Sequence, residues 1–221
     1  GLEIHGDDSL LLAIQQKDFY KDYKAFTDKT FEDVRTNMLK PVKDWCVEKG
    51  IGDHRKGSTC FYPLSGPDFM FGNTFYPRAQ KYILMGLERK GWMPDFTQMT
   101  DADLKQYFDG LKKSMKYINT RGYFVTSHMS GDFSKRHLNG VTHMIVYMMS
   151  HTGHKLVKVE DAYIDKDGKA VRVPEQAEIP EDAIRIKVID FTESSQYTLK
   201  SAYYISYNVD DKHMAEHPEL E

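Results

Sequence analysis

Three features that would assign a class of function directly are missing from this chain. It has no run of lysine and arginine of the kind that binds phosphate backbones, and 30 basic against 33 acidic side chains leave a formal net charge of −3. Nucleic acid is therefore not an expected partner. No apolar stretch reaches the roughly 18 residues of a membrane-spanning helix, and none near the start has the parts of a signal peptide. We expect no transmembrane segment.

Cysteine is also scarce. Cys46 and Cys60 are the two in the chain and permit one disulfide at most. Their spacing matches no metal motif and no C-x-x-C redox motif. We favour two buried or unpaired thiols over a disulfide, so cysteine usage does not identify the compartment.

What the chain does have is one dense stretch of buried-strand and turn patterns in its first half. Residues 61–64 and 82–85 are short apolar runs without polar alternation, which is typical of strands buried on both faces of a sheet. Between them, Ser65 and Asp68 have the spacing of a capping box, which predicts a short helix over about 67–75 with Ser65 as its N-cap. We predict a βαβ unit whose two parallel strands are central in the sheet.

The remaining patterns predict a mixed α/β fold. Helices are predicted over about 30–50 with a kink or break at Pro41, over 100–118 and over 134–150, and strands over 123–125, 155–164, 170–173, 184–188 and 197–207. The last two strands read as an antiparallel pair. We expect one three-layer α/β domain over residues 1–221, with a Rossmann-like mixed sheet, a βαβ core and C-terminal antiparallel strands. Residues 1–29 are predicted to form a helical arm and 210–221 a disordered tail.

The same stretch carries a resemblance to a known family. Tyr62-Pro63-Leu64-Ser65-Gly66-Pro67-Asp68, then Phe75-Tyr76-Pro77 and Gly86-Leu87-Glu88, resemble the signature of a family of uncharacterised, often exported bacterial proteins, and the similarity continues through the helix around Trp45, Asn139-Gly140-Val141 and Gly153-His154. Relatives usually carry Phe where Leu64 stands and Pro where Arg89 stands. The resemblance implies a shared architecture and transfers no activity. It also implies export, to the periplasm or on a lipoprotein anchor, with a cytoplasmic location as the alternative.

Four residues are predicted to bind a ligand. Open parallel sheets place their ligands beyond the carboxyl ends of the strands. Ser65, Asp68 and Glu88 follow the two predicted parallel strands, and His128 lies in a later polar loop. We therefore predict that a small molecule binds at this end of the sheet near these four residues. Catalytic residues cannot be assigned from the sequence.

Two enzymatic alternatives use the same residues. Ser65 stands where a strand turns into a helix, as a hydrolase nucleophile does, but Pro63 and Pro67 replace the glycines of G-x-S-x-G, and capping explains Ser65 without catalysis. Glu88, about twenty residues after the turn, gives the layout of an S-adenosylmethionine-dependent methyltransferase-like enzyme, although the turn has one glycine rather than three. S-adenosylmethionine is thus the one cofactor considered. A non-catalytic interaction module, with a flat aromatic surface and no enclosed pocket, is a third alternative.

Histidines cluster in the second half of the chain. Five of them fall within 27 residues: His128, His137, His143, His151 and His154. Imidazoles that converge from a loop and a helix are common ligands of zinc or iron. Their spacings match no H-E-x-x-H or comparable motif, so we favour core or surface histidines and predict no metal site.

Overall fold

A computed structural model describes residues 9–51, 57–63, 68–121, 134–135, 138–173, 178–194, 196–208 and 210–220. The helices are α1 (Ser9–Gln16), α2 (Asp18–Val34), α3 (Lys40–Lys49), α4 (Phe69–Phe75), α5 (Asp101–Arg121), α6 (Thr142–His151) and α7 (Asp211–Glu216), with a π-helical turn at Arg35–Leu39 and 3₁₀ turns at Phe96–Gln98 and Pro218–Leu220. The strands are β1 (Thr59–Tyr62), β2 (Lys81–Gly86), β3 (Ser134–Lys135), β4 (Leu138–Asn139), β5 (His154–Ile164), β6 (Ala170–Arg172), β7 (Ile184–Glu193) and β8 (Gln196–Ser206). None of these helices is both long and apolar enough to cross a membrane.

Six of the strands form one mixed sheet in the order β1-β2-β8-β7-β5-β6. β1 pairs with β2 and β2 with β8 in parallel, whereas β8, β7, β5 and β6 pair antiparallel. The predicted α/β class, with a β-α-β unit and C-terminal antiparallel strands in a mixed sheet, is confirmed. The predicted central position of both parallel strands is wrong for β1, which is the edge strand. Its outward residue Phe61 is 57% exposed, because no further strand or helix covers that corner of the sheet in the described residues.

Helices cover one face of the sheet. Side chains of α2, α4, α5 and α6 join Tyr82 and Leu84 of β2, Phe191 of β7 and Tyr204 of β8 in the larger apolar core. The other face carries a smaller cluster of β-strand side chains, including Ile186 and Ile205, against which Leu220 of the C-terminal segment packs. Strand residues alternate between the faces, so each strand contributes to both cores. The sheet is therefore the middle layer, and the layer on the second face is thin.

The N-terminus of α4 differs from the prediction in its capping residue. The capping-box pattern predicts Ser65 as the N-cap, whereas the helix begins at Phe69 and its N-cap is Asp68, whose carboxylate accepts the backbone N–H of Phe71 at 3.2 Å. Ser and Asp are equally good N-caps, so local spacing could not choose between them. Ser65 itself lies outside the described residues.

The helix predicted over 30–50 is interrupted, as expected from Pro41. The chain runs from α2 through the π turn Arg35–Leu39 into α3, and Pro41 lies in the first turn of α3. Proline offers no N–H to the carbonyl four residues before it. The wider π turn immediately before Pro41 accommodates this missing hydrogen bond.

The single helix predicted over 134–150 is wrong in its first third. β3 and β4 pair antiparallel, and the helix starts only at Thr142. The break comes at Gly140, whose φ of +70° lies in the left-handed region. An apolar pattern alone does not reveal this break, because Leu138 and Val141 are buried in either arrangement. The strand predicted over 123–125 lies outside the described residues.

The C-terminal tail is ordered, contrary to the prediction. Residues 211–216 form α7, and the N-cap Asp210 accepts the backbone N–H of His213 at 2.9 Å. The Tyr207 hydroxyl donates to the carbonyl of His213 at 3.1 Å, which ties the helix back to the end of β8. The polar composition of the tail predicted disorder, but a good cap and the contact of Leu220 with the sheet hold it in place. At the other end of the chain, residues 9–29 are helical, in α1 and α2.

Candidate functional site at the strand ends

The two described acids of the predicted site lie beyond the same end of the sheet. Asp68 follows β1 and Glu88 follows β2, and these strands run parallel. Asp68 is 6% exposed, and burial raises the pKa of its carboxyl to about 6 although the N–H of Phe71 counteracts this. The Tyr204 hydroxyl donates to the backbone carbonyl of Glu88 at 2.8 Å and lies 3.5 Å from its carboxylate. The contacts of each acid thus go to other groups, and Ser65 and His128 lie outside the described residues.

Two segments that carry the family resemblance meet at this end of the sheet. The backbone N–H of Val141 donates to the carbonyl of Arg89 at 2.9 Å. The backbone N–H and the hydroxyl of Thr142 donate to the carbonyl of Lys90 at 3.1 and 2.6 Å. A Cβ on Gly140 would lie 2.3 Å from the backbone nitrogen of Gly91, so the two chains touch through glycine. The loop after β2 is therefore fixed to the start of α6.

The fixed loop forms one wall of a concave site that we call the strand-end pocket. Its volume is about 840 Å³, and its lining includes Arg89, Lys90, Asp161, Arg185, Lys187 and Tyr207. These residues come from the loop after β2, from β5, from the start of β7 and from the residue after β8. The pocket thus lies where the prediction placed a ligand, but neither Asp68 nor Glu88 lines it.

A buried lysine anchors this pocket. Lys187 lies on β7 on the helix-covered face, since Ile189 and Phe191 of the same strand face point into the larger core. Its residue is 5% exposed, and its Nζ donates to Oδ2 of Asp161, the directly opposite residue of β5, at 2.8 Å. The Nζ of Lys90 donates to the other oxygen of the same carboxylate at 3.3 Å. Two ammonium groups therefore share one carboxylate.

The pKa values follow from this shared contact. Burial alone would raise the pKa of Asp161, but Lys187 and Lys90 together lower it, so the acid stays ionised. Burial lowers the pKa of Lys90, and Lys187 and Arg185 lower it further, whereas Asp161 opposes the shift. Each step shows that positive charge is crowded in a partly dry site. A buried charge is stable only when it is paired, and here one carboxylate serves two lysines.

Charges at the rim are mixed. Arg89 and Arg185 add two cations to the lining, and Glu181 and Asp182 add two exposed acids. The acids stand on the solvent side of the pocket, whereas the lysine pair stands inside. The excess of positive charge is therefore an internal feature of the pocket, next to the Tyr204 and Glu88 contact described above.

The described histidines are separated from one another. His143 is buried, accepts the backbone N–H of Asn139 on Nε2 at 3.3 Å, and has its Nδ1 3.0 Å from the Tyr107 hydroxyl. Nδ1 therefore carries the ring proton and donates to Tyr107. His154 packs edge-on against Phe69 and Phe191. Burial lowers the pKa of both histidines to about 4, as expected for neutral core imidazoles.

No group of three potential metal ligands comes together among the residues that the structure describes. His128 and His137 lie outside them, so the hypothesis of a histidine metal site is not tested at those two positions. Cys46 and Cys60 are both buried free cysteines.

Sequence reasoning found the location of the pocket and missed its chemistry. Lys187 alternates with Ile186 and Val188, which reads as a solvent-facing lysine. Asp161 lies in a weakly alternating stretch with no motif. Lys90 was passed over in favour of its neighbour Glu88. Comparison with protein-family models, with curated proteins and with solved structures finds no match for this chain. The family resemblance therefore stays a prediction.

Proposed function

We propose that this protein binds a small anionic molecule in the strand-end pocket. The observation that carries the proposal is the sharing of Asp161 by Lys90 and Lys187 inside a concave site. A ligand carboxylate or phosphate would supply the second negative charge that the lysine pair lacks. Charge-assisted hydrogen bonds of this type are roughly twice as strong as neutral ones.

The size and position of the pocket limit the ligand class. A volume of about 840 Å³ is in the range of sites for metabolites rather than for macromolecules. The site lies beyond the carboxyl ends of β2 and β8, where open α/β sheets bind their ligands. Phosphate esters and small di- or tricarboxylates fit both the volume and the charge.

The test is calorimetric titration with two probes, inorganic phosphate and succinate, at low and at physiological salt. We expect at least one probe to bind, with an affinity that falls as salt rises. Lys187→Met and Lys90→Met should each weaken binding at least tenfold, because each removes one ammonium group while its aliphatic stem is kept. The other lysine remains to pair with Asp161 in each variant.

The matched control is Lys105→Met, at an exposed position of α5 where Lys105 forms a surface ion pair with Asp109 at 2.6 Å. It should bind the probes as the unchanged protein does. Circular dichroism melting of each variant shows that the fold is kept. If neither probe binds, or if all three variants bind alike, the pocket is not an anion site.

The methyltransferase-like alternative rests on Glu88 and on the layout of the β1-α4-β2 unit. Only β1, β2 and β8 run parallel in the described sheet. A thermal shift with S-adenosylmethionine, which should reach about 2.7 kcal/mol at a hundredfold its dissociation constant, tests this alternative directly.

A further inference from the structure

A second and larger concave site lies at the opposite end of the sheet, which we call the helix-side cavity. Its volume is about 1240 Å³. It is bounded by α2, the π turn and α3 on one side and by the C-terminal ends of α4 and α6 on the other. It shares no lining residue with the strand-end pocket, so the inference below is independent of the proposed function.

The floor of this cavity is apolar and neutral. Phe31, Leu39 and Cys46 are buried there. The imidazole of His151 stacks on Phe31, with ring centroids 4.8 Å apart and planes at 23°. Burial lowers the pKa of His151 to about 4, and Arg35 acts in the same direction, so the ring is uncharged at neutral pH. Val47 of α3 lines the cavity and is 75% exposed, which leaves apolar surface at the mouth without cover in the described residues.

The rim carries more positive than negative charge. Its cations are Arg35, Lys40, Lys43 and Arg78, and its acids are Asp28 and Glu32. Both acids are already engaged in ion pairs, Asp28 with Lys24 and Glu32 with Arg35. Among the described residues, Lys43 forms no ion pair. The charge left over at the rim is therefore positive.

The π turn places part of this rim. Arg35, Thr36 and Leu39 belong to the turn, and all three line the cavity. A regular α-helix would rotate these side chains differently, since the π turn inserts an extra residue into the ladder of hydrogen bonds. Such turns occur frequently at functional sites. Here the turn joins a charged group at the mouth to an apolar group in the floor.

We infer that the helix-side cavity binds a monocarboxylate with an apolar body, such as a medium-chain fatty acid. The chain lies on the apolar floor and against Val47, and the carboxylate lies at the rim near Lys43 and Arg35. Charge complementarity selects this occupant over a neutral or cationic amphiphile. The apolar walls select it over the compact anions expected in the strand-end pocket.

The experiment is calorimetric titration of the full chain with decanoate, decanol and acetate. We expect decanoate to bind at least tenfold more tightly than decanol, and acetate not to bind. Lys43→Glu and Val47→Asp should each weaken decanoate binding at least tenfold. Both positions are exposed on α3, so the fold should be retained.

Matched controls separate a specific site from a general effect of charge. Lys49→Glu lies at the end of the same helix and outside the lining, and Leu12→Asp changes an exposed leucine of α1 that is also outside it. Both should bind decanoate as the unchanged protein does, and so should Lys187→Met. Absence of decanoate binding, equal affinity for decanol, or loss of binding in Lys187→Met would overturn the inference.

Discussion

Asp68 is a buried acid whose charge works against the stability of the fold. Its carboxylate caps α4 through the N–H of Phe71, but burial raises its pKa from 3.8 to about 6. A carboxyl with a raised pKa binds protons more strongly in the folded chain than in the unfolded one. Its stabilising contribution is therefore complete below pH 3.8 and is lost as the pH rises through 6.

The magnitude follows from this shift of about two pKa units. Each unit corresponds to about 1.4 kcal/mol, so the ionised Asp68 destabilises the fold by about 3 kcal/mol at pH 8 relative to a neutral side chain. At pH 4.5 only about 1 kcal/mol of this remains. Asparagine caps a helix as well as aspartate does and carries no charge. Asp68→Asn should therefore raise the free energy of unfolding by about 3 kcal/mol at pH 8 and by about 1 kcal/mol at pH 4.5.

The assay is urea denaturation of both proteins at the two pH values. His143, His151 and His154, whose pKa values burial lowers to about 4, lose their neutral state as the pH falls and so change the stability in the opposite direction. Because these histidines are present in both proteins, their effect cancels in the difference. Asp68→Ala, which has no cap, should be about 0.5 to 2 kcal/mol less stable than Asp68→Asn.

A lower stability of Asp68→Asn than of the unchanged protein at pH 8 would refute the reasoning. It would show that a neighbouring positive group stabilises the carboxylate more than burial destabilises it. The expected outcome has a functional meaning, because charges retained at a cost in stability are concentrated at functional sites. Asp68 would then remain a candidate ligand residue beside the strand-end pocket.

Two further predictions concern the loop after β2 and the histidine core. Gly140→Ala should cost more stability than Gly50→Ala and should weaken phosphate or succinate binding, since both glycines have positive φ but only the Cβ at Gly140 would meet backbone, at Gly91; equal losses in urea denaturation would contradict this. Tyr107→Phe should cost about 1 to 3 kcal/mol, because it leaves the buried Nδ1 of His143 without its partner. A loss below about 0.5 kcal/mol would show that Nδ1 finds another acceptor.

Elements that depend on local interactions were predictable from the sequence. The capping box at α5 is present, since Thr100 Oγ1 accepts the N–H of Asp103 at 3.2 Å and the Asp103 carboxylate accepts the N–H of Thr100 at 3.1 Å. The hairpin turn through Gly168 and the irregularity before Pro41 were also predicted. In each case the residues that decide the structure are within five positions of one another. The spacing in the sequence is then nearly a distance in space.

Features that depend on distant contacts were predicted less well. Gly140 breaks the predicted helix because the chain must pass within touching distance of Gly91, 49 positions earlier. β1 is an edge strand because β8, and not another parallel strand, pairs with the free side of β2. Neither fact has a local signal, since an apolar run reads the same at the edge and at the centre of a sheet.

The chemistry of the strand-end pocket was missed for a related reason. Alternation in β7 assigns Ile186 and Val188 to the core and Lys187 to solvent, as it would in a sheet with one wet face. Here both faces are covered at that point, so the polar side of the alternation faces the helices. Lys187 is then buried opposite Asp161, whereas Arg185, one step nearer the sheet edge, is exposed. A lysine on the covered face near a strand end needs a carboxylate from the neighbouring strand, and the sequence does not show the register that provides it. That dependence makes Lys187 and Asp161 the pair whose roles a single change can separate: Asp161→Asn should leave two lysines without their shared anion and so strengthen phosphate binding, while lowering the stability of the free protein.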